Sequence, residues 1–172
     1  MKRLIFIFGI FFLNCSAPTI TANYDQKADF SLYRSFTFMP QLENTAPTHP
    51  EYDNPEIRNL IKQAIIHELT GLGFRQAGPE ADIMVKYEII VREMVDPRVD
   101  SAVIYKPWVD TKIDSFNYTE GLLVIRLIDR KEGKMVWQGS LAGILNRKPA
   151  KFEKKLERYI AELFSSLPEH RH

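Results

Sequence analysis

Between Asn54 and Gly73 apolar residues recur every three or four positions: Ile57, Leu60, Ile61, Ala64, Ile65, Leu69 and Leu72. That spacing gathers them on one stripe of an amphipathic helix. Asn54 is a good N-cap, Pro55 suits the first helical position, and Gly71 and Gly73 supply the stop. A second stripe, Phe152, Leu156, Tyr159, Ile160, Leu163, Phe164 and Leu167, predicts a C-terminal helix ended by Pro168.

Elsewhere the period changes to two. Ile83, Val85, Tyr87, Ile89 and Val91 alternate with Met84, Lys86, Glu88, Ile90 and Arg92, a strand with one face buried. Ser35–Phe38 closes an earlier strand, and a Pro-rich loop runs from Pro40 to Pro55. Gly121–Asp129 and Lys134–Ile144 are two further strands joined by a short hairpin at Arg130–Gly133. Between Pro97 and Pro107, Ala102–Tyr105 is a candidate short strand. The order predicts an α+β fold: a largely antiparallel sheet of four to five strands with two helices on one face. Residues 24–168 make one domain, followed by a tail at 169–172.

The N-terminus has a different character. Lys2 and Arg3 precede an apolar run, Leu4 to Leu13, broken only by Gly9. Ten residues are too few for a spanning helix, which needs about 20, but match the core of a secretory signal peptide. The only cysteine follows in Leu13-Asn14-Cys15-Ser16. This resembles a bacterial lipobox, although Asn14 stands where a small residue is usual and Phe12 where Leu is. The resemblance implies cleavage after residue 14 and lipidation of Cys15, with residues 15–23 a polar tether. The alternatives are a cleaved signal with an incidental Cys, or an uncleaved anchor. Loss of Lys2 and Arg3 with the leader takes the formal net charge from +1 to −1. No basic patch remains to hold the protein to nucleic acid or to an anionic surface, so acyl chains would supply the membrane attachment.

Several segments together resemble the uncharacterised bacterial lipoprotein family called domain of unknown function 4136. They are Tyr24 through Phe36; Ala64-Ile65 with Glu68-Leu69 and Gly73-Phe74; Ala81-Asp82-Ile83; and Glu120 to Ile125 with Asp129 and Val136-Trp137-Gln138-Gly139-Ser140. The resemblance implies an envelope lipoprotein with an α+β domain. It brings no known activity and no catalytic residues.

Residue chemistry points the same way. His67-Glu68 lacks the second His one turn on that a zinc-protease helix requires, and neither cofactor nor metal is indicated. Asp25, Asp29, Asp82 and Asp129 stand at element boundaries, where Asp satisfies turn N–H groups. Glu68 falls within the apolar stripe of its helix, so it is a buried acid with either a structural partner or a functional role. Tyr105, Trp108, Phe116 and Tyr118 lie on a long connection; they either cover the open sheet face or form a partner or ligand surface. Trp137 is placed in the core. The expected function is a non-enzymatic envelope module, lipid-anchored at the outer membrane and facing the periplasm. It would meet an envelope protein or the cell wall. The alternative is a periplasmic carrier for an apolar ligand such as a lipid.

Overall fold

The computed structural model describes residues 18–40, 47–97, 115–145 and 149–168. Its first helix, α1 (Pro55–Gly71), begins as its sequence dictates: the Asn54 side chain accepts the Ile57 N–H at 3.0 Å, with Pro55 at the first position. It ends at Gly73, whose φ of 94° only glycine adopts without strain. There the Phe74 N–H closes on the Leu69 carbonyl at 3.0 Å. The second helix is α2 (Pro149–Phe164).

The strands are β1 (Thr19–Tyr24), β2 (Ser35–Phe38), β3 (Arg75–Gln76), β4 (Ile83–Pro97), β5 (Ser115–Asp129) and β6 (Lys134–Ile144). They form one sheet in the order β1-β6-β5-β4-β2-β3. The α+β class is as predicted, but among the described residues the sheet has six strands and its pairing is mixed. The β1–β6, β5–β6 and β4–β5 pairs are antiparallel, whereas β2 runs parallel to both β3 and β4. The physical reason is the α1 connection, long enough to carry the chain back for parallel pairing.

Two elements correct the sequence reading. The residues assigned to a tether are largely strand: Thr19 to Tyr24 pair with Ala142 to Trp137. As an edge strand, β1 is held by backbone hydrogen bonds and buries little, with only Ile20 half-buried, so its hydrophobic signal is weak. The pair Arg75–Gln76 is too short and too exposed to show any period. Ala102–Tyr105, the candidate short strand, lies outside the described residues.

Both helices cover the same sheet face. Phe36, Ile83, Val85, Ile125, Leu127, Trp137 and Leu141 from the strands share one cluster with Ile57, Ile61, Ile65 and Leu69 of α1 and Leu156, Ile160, Leu163 and Phe164 of α2. Trp137 is fully buried there, stacked on Phe164 with ring centroids 5.1 Å apart. The opposite face is polar at its centre. Arg126 donates to Glu88 at 2.7 Å and to Gln138 at 2.8 Å, and Lys86 pairs with Glu88 at 2.7 Å. Among the described residues, no helix is long and apolar enough to cross a membrane.

A candidate functional site at one pole of the sheet

The four boundary aspartates converge at a single pole. There β1 and β5 end, while β2, β4 and β6 begin, so the sheet order unites residues more than a hundred positions apart. Each carboxylate holds a turn. Asp25 accepts the Lys27 N–H at 3.0 Å, and its own N–H reaches the Val136 carbonyl at 2.9 Å. Val136 is the extra residue of a bulge between the Leu127–Trp137 and Ile128–Met135 pairs. Asp29 caps a 3₁₀ turn, Phe30–Leu32, accepting from the Ser31 N–H at 3.0 Å and hydroxyl at 2.6 Å.

Asp82 does the most. One oxygen, Oδ2, accepts the Arg34 N–H at 2.8 Å, the Ser35 N–H at 3.0 Å and the Ser35 hydroxyl at 2.8 Å. It thereby ties the start of β4 to the start of β2. Asp129 accepts the N–H groups of Lys131 and Glu132 at 2.7 and 2.9 Å, shaping the hairpin. Its other oxygen accepts the Tyr33 hydroxyl at 2.9 Å.

These bonds favour charge. At Asp82 burial pushes the carboxyl up, but the Arg34 and Ser35 donors outweigh it and leave the group below its usual range. Asp129 is similar: burial raises it, and the Glu132, Tyr33 and Lys131 donors bring it down further. Asp25 is lowered by the Lys134 ammonium and then by the Lys27 N–H, and Asp29 by the Ser31 hydroxyl and N–H. The Tyr33 phenol moves the other way, raised by burial and then by its bond to the Asp129 carboxylate.

Around these turns lies an open cleft of about 900 Å³, walled by the 25–33 loop on one side and by residues 80–82 and 129–134 on the other. Lys134 pairs with Asp25 across it, and Arg130 pairs with Glu80 within the second wall. With the aspartates committed to backbone donors, the groups turned outward are exposed Lys27, Lys131 and Glu132, together with Leu32, which is 71% exposed. A rim of mixed charge around one exposed apolar side chain suits a polar partner surface. Among the described residues, no three His, Cys, Asp or Glu are arranged to hold a metal ion.

The residues singled out from sequence fall elsewhere. Tyr105, Trp108 and the side chain of Phe116 lie outside the described residues, and so does Cys15. Phe116 and Tyr118, expected on a long connection, are a correction: both belong to β5, which begins at Ser115 because it pairs with β4 out to Pro97, and Tyr118 is half-buried opposite Met94. Glu68 is half-buried, a correction to its expected burial: it sits in the last turn of α1, where the stripe reaches the rim of the core. Its backbone carbonyl accepts the Leu72 N–H at 3.0 Å. Trp137 occupies the predicted core position. Sequence reasoning missed Lys27, Leu32 and Lys131 as rim residues; their only signal is that each lies within three positions of a boundary aspartate.

Known proteins share this architecture. A PDZ domain protein from Parabacteroides distasonis superposes with a TM-score of 0.59 at 14% identity, over 89% of this chain and 36% of that one. The chain thus spans about a third of that protein's length. A DUF4136 family protein from Bacteroides thetaiotaomicron superposes with a TM-score of 0.56 at 14% identity, over 91% of this chain and 98% of that one. At such identities the likeness is one of fold. No match was found among curated proteins. The profile of the family described as domain of unknown function (DUF4136) matches residues 20–169, nearly the whole folded chain. The chain therefore belongs to the DUF4136 family.

Proposed function

We propose that the protein is a non-enzymatic envelope module, anchored by acyl chains on Cys15, that meets an envelope protein or the cell wall through the polar cleft. The observation that carries this reading is the polarity of the fold. β1 starts only four residues after Cys15 and runs toward the cleft, so the cleft lies at the pole facing away from the anchor. An exposed, charged rim directed outward from a membrane is placed to meet a partner. Ser16, which lacks the charge of an inner-membrane retention signal, supports an outer-membrane, periplasm-facing location.

The carrier alternative needs an apolar cavity. The cleft instead carries charged side chains on every wall, and the sheet face opposite the helices has the Lys86–Glu88–Arg126–Gln138 network at its centre. Both features favour the interaction reading. So does the commitment of each cleft aspartate to backbone N–H donors, which leaves their carboxylates holding turns.

A photo-crosslinking residue at Leu32, compared with one at exposed Gln63 on α1, tests the proposal in intact cells. The expected result is a discrete adduct from position 32 that position 63 does not give. No adduct from position 32, or the same adducts from both, would contradict it.

A further inference from the structure

The sheet register permits a comparison of lengths at the other pole. Thr19 pairs with Ala142, Ala142 with Leu122, and Leu122 with Ile90, so these four residues form one row across β1, β6, β5 and β4. From that row β6 continues only two residues, to Ile144. The β4–β5 pair continues seven, out to Pro97 opposite Ser115. At strand rise those seven residues make an arm about 23 Å long. It projects toward the side from which the chain enters β1.

Cys15 stands four residues before Thr19. Fully stretched, that connection reaches about 14 Å past the same row. The Met94 row is also four residues out, so the lipidated sulfur can rise no further than about the level of Met94. The remainder of the arm then extends about 9 Å past the longest reach of the tether. An upright domain with its acyl chains in a bilayer cannot keep the arm clear of that bilayer.

We infer that the β4–β5 arm is a second membrane contact, pressed on the phospholipid surface that holds the acyl chains of Cys15. This rests on the anchored reading proposed above. The side chains at this pole suit it: Met94 and Ile144 are exposed apolar residues on the same sheet face, 37% and 58% accessible, Ile144 in the row of Glu120 and Arg92, and Met94 two residues further out. Exposed apolar side chains at the end of a sheet match the boundary between acyl chains and headgroups, and the reach of the tether, not charge, brings them there. Two contacts, one covalent and one by surface, would fix the tilt of the domain and hold the cleft away from the membrane.

Lipidation occupies the Cys15 sulfur, so Met94→Cys in the full mature chain carries the sole free thiol. That thiol is labelled with an environment-sensitive fluorophore, and the protein is placed in phosphatidylethanolamine/phosphatidylglycerol vesicles containing a phospholipid with a nitroxide on its headgroup. Lys131→Cys provides the same label at the cleft. The expected result is at least twofold quenching at position 94 and none at 131; Arg92→Cys supplies a second arm position if Met94→Cys does not fold. An unquenched arm label on protein that floats with the vesicles and carries lipid at its N-terminus overturns the inference and leaves the anchored reading standing. A mature N-terminus without lipid overturns both.

Discussion

Asp82 shows how one side chain can decide a local fold. Its carboxylate takes two backbone N–H groups and a hydroxyl from Arg34 and Ser35, and so joins the starts of β2 and β4. Hydrogen bonds to a charged group contribute about 1.5–3 kcal/mol, so Asp82→Ala should lower unfolding free energy by that amount in denaturant titration. The same bonds give an acid dependence. A carboxyl held below its usual range keeps its charge in the folded chain while the unfolded chain takes up a proton. The stabilisation is therefore complete above about pH 4 and is lost as pH falls through the folded-state values of Asp82 and Asp129. Thermal midpoints measured down to pH 2.5 should fall more gently for Asp82→Asn than for the native chain. An identical slope would place the acid sensitivity elsewhere.

At the scale of elements, close approach decides what β6 tolerates. A Cβ at Gly139 would lie 2.4 Å from the Trp137 ring and 2.7 Å from Leu163, where α2 crosses the sheet. Neither neighbour can yield, because both are fully buried in the core. Gly139→Ala should cost about 1–3 kcal/mol from overpacking. The three atoms nearest a Cβ at Gly121 all belong to the Leu145 side chain, from 2.7 Å, which is buried just beyond the end of β6 but outside the core cluster that holds Trp137 and Leu163. Gly121→Ala should cost distinctly less in the same melting experiment, and equal losses would contradict this account. Elements built on side-chain burial were legible in the sequence. The cap at Asn54 placed the start of α1, and alternation with a glycine turn placed both ends of β6. Elements built on backbone bonding were not, and β1 and β3 are the examples. The turn roles of the four aspartates could be read residue by residue. Their convergence into one cleft could not, because it follows from the sheet order, and no local pattern encodes that.

The whole molecule has two unlike ends. At one, the chain enters from Cys15 beside the long β4–β5 arm; at the other, four aspartate-held turns frame a charged cleft. Strand β6, eleven residues long, separates them by about 35 Å. Under the proposed anchoring that separation matters, because a lipid on Cys15 would turn one end toward the membrane and present the other to the periplasm. Each added acyl methylene contributes about 0.8 kcal/mol of membrane affinity, so two or more chains on Cys15 would hold the domain in place. The most direct measurement is the intact mass of the mature protein purified from membranes. The account predicts an N-terminus at Cys15 carrying a diacylglyceryl group on its sulfur. A mature chain whose cysteine is unmodified, or which begins at another residue, would contradict it.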